Sequence, residues 1–451
     1  MKRHHGKPLM RMFHWTRTSL DAAVIAPDQR LPWPQTFAMG LQHLVAMFGS
    51  TVLVPLLMGF DPNVSILMSG VGTLIFFAVT GGRVPSYLGS SFSFIGVAIA
   101  ITAYAGSGPN PQAPLALGGI ATCGLLYALV GVVVHFLGTG WIERLMPPVV
   151  TGTVVAAIGL NLAHVPVKNM TSGPFDAWMQ AITFTCVALI AVFTGGMLRR
   201  LMILAGLVVA SLVYFALANG LGWGKPIDLA GVAGAPWWGL PHWQHPVFSA
   251  SATLLFAPIV VVLVAENLGH LKAVTAMTGR DMDPYIGRAF LADGLATVAS
   301  ASVGGNGVTT YAENIGVMAA TRIYSTAIFP VTAAIAILLG FSPKFGALLQ
   351  AIPVPVMGGI SIVVFGLIAV AGAKIWVDNR VDFADGRNVL VAAIALTLGT
   401  GGFTLHFGSF PLEGIGTATF GAIGLNWLLH RGQPPAVARA AGEIEKEDPV
   451  A

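Results

Sequence analysis

Long apolar blocks separated by short polar turns run through the chain. Taking about 20 residues as the length that crosses a bilayer, they number about fourteen: 36–58, 63–80, 84–105, 115–138, 147–166, 179–197, 200–220, 252–274, 285–302, 308–321, 323–341, 352–372, 388–404 and 413–430. Twelve read as plain helical spans. The third and tenth do not, because each opens on an extended, Pro- or Thr-containing piece. In the tenth, Thr309, Thr310 and Tyr311 favour extended backbone, while Asn314, Ile315 and the apolar run behind them can continue as a short helix. Irregular backbone survives at membrane depth only where it lines a protein cavity. These two breaks are therefore where a site is expected.

Composition agrees with this pattern. Of 451 residues, 55% are hydrophobic and 9% charged, against about 25% charged in a soluble domain. The 55 glycines and 28 prolines suit close helix packing and interrupted helices in a bilayer. Cys123 and Cys186 both lie in apolar blocks, so no disulfide framework or cysteine metal site is available. No apolar stretch follows the basic residues at the start, which argues against a cleaved signal peptide.

Charge placement sets the topology. With fourteen spans and a cytoplasmic N-terminus, only Lys168, Lys225 and Lys344 of the 23 Lys and Arg fall outside, the asymmetry expected when basic residues gather in cytoplasmic loops. Both termini are then cytoplasmic, as a tail at 1–35 and a polar, disordered tail at 432–451. The net charge of +4 needs no nucleic acid to explain it.

A weak repeat links the halves. GGRVPSY at 81–87 matches GGNGVTTY at 304–311, and Tyr87 and Tyr311 are 224 positions apart, the same offset as Gly70 to Gly294 and Gln42 to Glu266. MPPVVTG at 146–152 and IPVPVMGG at 352–359 open the fifth and twelfth blocks alike. Seven spans per half is an odd number, so the halves run in opposite directions across the membrane. That inverted plan places a substrate near the midplane between two broken helices. The fold expected is an all-α polytopic membrane protein of fourteen spans in two inverted seven-span repeats, with spans 3 and 10 broken.

Three acidic residues are stranded at membrane depth: Glu266, Asp293 and Glu313. An intramembrane ionisable group is by default a functional candidate. Glu266 and His270 share a helix face on the eighth span, opposite Gln42 and His43 of the first. Asp293 reads as structural. A carboxylate accepts N–H bonds, and exposed N–H groups at a half-helix start donate to carbonyl oxygens. Together they suit a neutral cyclic amide or imide. Two glutamates are too few oxygens for a metal ion, and they repel an anion. A carboxyl at this depth can also take up and release a proton, so proton coupling follows. No metal-ligand cluster or nucleophile motif suggests an enzyme.

ENIGVMAATR (313–322), YLGSSFSF (87–94), the QH pair of the first span and AENLGH (265–270) resemble the nucleobase–ascorbate transporter (NCS2) family, and within it the bacterial uracil and pyrimidine permeases. The resemblance covers about residues 30 to 430. It implies a core domain (spans 1–4 and 8–11; 36–138 and 252–341) and a gate domain (spans 5–7 and 12–14; 139–251 and 342–431), with short antiparallel strands in spans 3 and 10. It implies a proton-coupled importer of uracil, and of thymine as well, in the bacterial inner membrane, acting as a homodimer within lipid and without a cofactor other than the coupling proton. Glu266 and Glu313 would hold the base with the backbone amides of Phe92 and Ala312 and with Tyr311 alongside, His270 would serve proton coupling, and Gln42, His43 and Asn314 would support the pocket. The best-known uracil permease of the family carries Gly where this chain has Ala312, a departure that bears on fine specificity. A purine (xanthine or urate) permease of the same family is the alternative, although members that prefer oxidised purines tend to have Gln at the position of Glu313. An anion transporter of the same architecture is a remoter one.

Overall fold

A computed structural model describes residues 15–19, 22–104, 108–169, 171–407, 410–412 and 414–431. The expected disordered tail at 432–451 lies outside the described residues.

In chain order, β1 (Thr16–Arg17) and β2 (Gln29–Arg30) precede α1 (Trp33–Met58) and α2 (Pro62–Val79). The third block becomes β3 (Leu88–Ser90), a 3-10 turn at Phe92–Phe94 and α3 (Ile95–Thr102). Next come α4 (Ala113–Leu137), α5 (Gly140–Leu145), α6 (Pro148–Leu162), α7 (Pro174–Phe193), α8 (Gly196–Arg200), α9 (Met202–Phe215) and α10 (Ala230–Gly234). The second half holds α11 (Ala250–Phe256), α12 (Ile259–Thr278), α13 (Ile286–Ser302), β4 (Val308–Thr310), α14 (Ala312–Thr321), α15 (Ile328–Gly340), α16 (Pro343–Gln350) and α17 (Val354–Asp378). It closes with α18 (Gly386–Thr400), β5 (Leu405–Phe407), β6 (Phe410–Leu412) and α19 (Ile415–Leu429).

Eight helices among the described residues are long and apolar enough to cross a membrane, and the pair α15 and α16, bent by 81°, would make a ninth. The other expected spans appear as shorter helices or as the two broken segments. Pro343 opens α16, a helix that the apolar pattern does not reveal.

Local chemistry sets the helix ends. The Asp61 carboxylate accepts the Asn63 N–H at 2.8 Å, and Pro62 takes the first helical position of α2, where its missing N–H costs nothing. Gly59 ends α1 at φ 69°, a left-handed backbone that a side chain would strain.

Two compact units divide the chain: residues 1–137 with 162–366, and residues 138–161 with 367–451. In the first, α13 packs along α4 and α2, and α15 along α2. A Cβ on Gly294 would lie 2.4 Å from Ala128 N, and one on Gly131 2.3 Å from Leu291 N. The two backbones touch, as small residues allow between membrane helices. In the second unit, α18 packs on α19, and Asn161 Nδ2 donates to Gly399 O at 2.7 Å.

The inverted repeat is visible in the first unit with a corrected register. The offset of 224 holds for the helix starts Pro62 and Ile286. The strands differ by 220, Leu88 against Val308, and so do the helical starts Phe92 and Ala312. From helix start to strand start the chain takes four more residues on the α2–β3 side than on the α13–β4 side. β3 and β4 pair antiparallel, Leu88 with Thr310, Gly89 with Thr309 and Ser90 with Val308. Tyr87 and Tyr311, equated by letter matching, are instead cross-ladder neighbours, the Tyr311 N–H donating to Tyr87 O at 3.1 Å.

Residues 22–31, read as tail, pack against the chain that follows α14. Ile25 N–H donates to Arg322 O at 3.0 Å, Tyr324 N–H to Ile25 O at 2.8 Å and Thr326 N–H to Pro27 O at 3.1 Å. Ile25, Leu31, Ile323 and Ile328 form a small buried cluster beneath them.

Candidate functional site

The β3–β4 ladder ties the two half-helix starts to one short sheet, Phe92 two residues past its Ser90 end and Ala312 two residues past its Thr310 end. Both strands are buried, and each is followed directly by helical backbone. The first N–H groups of such a helix have no carbonyl one turn back. Phe92 opens the 3-10 turn and is half-buried, and Ala312 opens α14 and is exposed. A Cβ built on Gly269 or Gly316 meets nothing within 4 Å, so open space lies beside α12 and α14 at this level.

Two carboxylates stand at this opening. Glu313, in the first turn of α14, is half-buried, and Ser50 of α1 donates its hydroxyl to Glu313 Oε1 at 2.5 Å. Glu266 comes from α12, accepts from the Ser93 hydroxyl and lies within electrostatic reach of Glu313. Four separate elements, α1, the turn after β3, α12 and α14, thus fix one pair of acids.

Of the other expected residues, His270 sits on α12, one turn beyond Glu266, and its Nδ1 lies 2.8 Å from Thr310 Oγ1. Tyr311 is buried, donates its hydroxyl to Ser90 O at 2.8 Å and accepts from Thr51 Oγ1 at 3.1 Å. Its ring lies over Gly89, where a Cβ would come 2.4 Å from Cζ. Only glycine permits that contact. Tyr311 therefore braces the ladder against α1 from behind the opening. His43 and Asn314 are both fully buried, Asn314 Nδ2 donating to His43 Nδ1 and to His43 O at 3.0 Å each. The imidazole also meets Phe329 edge-on, with centroids 5.2 Å apart. This pair clamps α14 to α1. Gln42 is half-buried beside it on α1.

Sequence reasoning missed Ser50, Ser93 and Thr310. Ser50 follows His43 by seven residues, two helical turns on the same face, which is the one signal that points to it. Asp293 is fully buried and bonds Asn267 Nδ2 through Oδ2. Among the described residues no group of three or more His, Cys, Asp or Glu could hold a metal ion.

Broken antiparallel half-helices that face a pair of membrane-depth carboxylates define a membrane carrier. A sequence profile of the Permease family matches residues 34–407, and the chain belongs to that family, the NCS2 nucleobase–ascorbate transporters. It is 62% identical over 420 residues to the putative pyrimidine permease RutG of Escherichia coli (strain K12), covering 93% of this chain and 95% of that one. It is 39% identical over 428 residues to the uracil permease of Bacillus caldolyticus, covering 92% and 96%. Among solved structures, the transmembrane domain of the cyanobacterial bicarbonate transporter BicA superposes with a TM-score of 0.59 at 16% identity, covering 87% of this chain and 97% of that one. Murine Slc26a9, an anion transporter in the inward-facing state, gives 0.62 at 11%, covering 87% and 68%. These two likenesses are of fold.

Proposed function

We propose that this multi-pass membrane permease imports uracil, and thymine with it, together with protons across the bacterial inner membrane. The observation that carries the reading is the convergence of Glu266 and Glu313 on the two half-helix starts. Glu266 accepts one ring N–H and carries the coupling proton, with His270 assisting. Glu313 accepts the second N–H. The amides of Phe92 and Ala312 donate to the ring carbonyls. The names of the pyrimidine and uracil permeases that match most of the chain support this choice of substrate. An anion is disfavoured because two acids occupy the place where it would sit.

In this reading both termini face the cytoplasm, the protein works as a homodimer, and a core of spans 1–4 and 8–11 moves against a gate of spans 5–7 and 12–14. The test is uptake of labelled uracil by permease-deficient cells at about pH 5.5 and 7.5, near the range where coupling groups titrate, with and without a protonophore and with thymine or xanthine as competitor. Acid-stimulated, protonophore-sensitive uptake blocked by thymine and not by xanthine is expected. Glu266→Gln should lose accumulation and Glu313→Ala should lose binding. Wild-type uptake by either variant would sink the assignment of the site, and competition by xanthine with poor uracil uptake would turn the substrate reading to purines.

A further inference from the structure

Behind His270 runs a buried polar chain that the proposed binding site does not use. His270 Nδ1 meets Thr310 Oγ1 at 2.8 Å, and Thr310 Oγ1 donates to Asn267 Oδ1 at 3.1 Å. Asn267 Nδ2 donates to Asp293 Oδ2 and, at 2.9 Å, to Tyr127 OH, which donates to Leu263 O at 3.3 Å. Thr310, Asn267, Tyr127 and Asp293 are each at most 1% exposed. The backbone of Thr310 lies within hydrogen-bond reach of both the Asp293 carboxyl and the His270 imidazole, and no ion pair among the described residues reaches this carboxyl.

With the Asn267 amide oriented this way, the donor count sets the direction of each bond. Thr310 has a single hydroxyl proton and gives it to the amide oxygen, so it can only accept from His270. The imidazole must then carry its proton on Nδ1 and offer a lone pair at Nε2. An Asp293 that is ionised accepts only, which matches this orientation of the amide, whose NH2 also donates to Tyr127 OH.

Placing one proton on Asp293 reverses the sequence. The carboxyl then donates to the amide oxygen, Tyr127 turns its hydroxyl proton from Leu263 O to that same oxygen, the turned amide donates to Thr310, and the hydroxyl donates to His270 Nδ1. The imidazole must now hold its proton on Nε2. The two states differ by one proton, on Asp293, taken from or returned to water; His270 carries one ring proton in both. Other titratable groups near this chain are Glu266 on α12, Cys123 and Tyr127 on α4 and Glu313 on α14. α2 and β4 supply none, and Asp283 and Tyr285 lie beyond the start of α13.

We propose that Thr310 and Asn267 are positioning residues that transmit the protonation of Asp293 to His270, switching its Nε2 between hydrogen-bond acceptor and donor. The inference uses the functional reading for its consequence in transport, but the switch itself is a property of the empty protein. Nitrogen-15 NMR of histidine-labelled protein in nanodiscs reads it directly, His270 being assigned by the signal lost in His270→Gln. Lowering the pH should move the wild-type ring proton from Nδ1 to Nε2 without a net imidazolium signature. Thr310→Ser, which keeps the hydroxyl, should do the same. Thr310→Val and Asp293→Asn should lose the pH-driven exchange, and their ratio of acid to neutral uptake should fall to about one.

A wild type that keeps one tautomer throughout, a switch that survives Thr310→Val, or a Thr310→Ser as defective as Thr310→Val would each overturn the proposal. Should Asp293→Asn fail to fold, the contrast between the two Thr310 variants decides. A tautomer switch in a protein whose uptake ignores protons would sink the symport reading and leave the switch standing. Proton-driven uptake without a switch would do the reverse.

Discussion

Ser50→Ala tests whether α1 holds Glu313 ready for its ligand. Ser50 is 3% exposed and its hydroxyl donates to Glu313 Oε1 at 2.5 Å. A hydrogen bond to a charged group contributes about 1.5–3 kcal/mol. Glu313 is half-buried, so solvent replaces part of that bond in the variant, and the lower end, about 1.5–2 kcal/mol, applies. The freed carboxylate samples other rotamers and must be fixed again when the base arrives. At about 1.4 kcal/mol per decade, uracil should bind roughly ten- to thirty-fold more weakly.

Equilibrium binding of labelled uracil to purified protein measures this, with Ser50→Thr as the variant that keeps the hydroxyl and should recover most of the affinity. Ser361→Ala is the control, since the Ser361 hydroxyl donates only to Met357 O, one turn back in its own helix, at 2.7 Å. A Ser50→Ala affinity within about twofold of wild type would refute the reasoning, because a loss that small corresponds to less than about 0.5 kcal/mol. An equal loss in Ser361→Ala would refute it too, since the effect would then be a general one of removing a buried hydroxyl.

Two further variants probe the scaffold. Gly294→Ala places a Cβ 2.4 Å from Ala128 N and 2.6 Å from Gly124 O, so it should destabilise by about 1–3 kcal/mol or more through overpacking, whereas Gly366→Ala, which meets nothing within 4 Å, should gain up to about 1 kcal/mol of helix propensity; equal melting temperatures in detergent would contradict the packing. Ile25→Ala removes a side chain 1% exposed at a cost of about 2–5 kcal/mol, enough to release the segment that Ile25 pins to Arg322, and trypsin should then cut after Arg17 or Arg30 far faster than in wild type. Unchanged digestion would show that the segment is held by something other than this cluster.

The sequence made the acids legible because charge at membrane depth is rare. Glu266, Glu313 and His270 stand out against apolar helices, and the broken spans stand out because Thr309, Thr310 and Tyr311 interrupt a helical run. The four-residue slip between letter offset and structural offset was not legible. Gly and Tyr recur on both sides of it, and only the strand pairing shows that Phe92 and Ala312, not Tyr87 and Tyr311, are equivalent. The two-residue strands β1 and β2 have no period to read, and neither do the three-residue strands β5 and β6.

The hydroxyls were harder for a physical reason. In an apolar helix a Ser or Thr satisfies itself by donating to the carbonyl one turn back, and most here do: Thr73 to Ser69 O, Thr80 to Phe76 O, Thr102 to Ala98 O, Thr153 to Val149 O and Thr183 to Met179 O. Nothing in the local sequence separates these from Ser50, which reaches Glu313 across 263 positions, or from Thr310, which reaches Asn267 across 43. The distinction arises only when the ladder closes. A residue on a strand has no carbonyl one turn back, so Thr310 must find its acceptor elsewhere, and breaking the tenth span is what turns an ordinary threonine into a link between His270 and Asn267. The same break that opens the half-helix amides on one side thus supplies hydroxyls to the buried network on the other, and restoring a continuous helix would remove both at once.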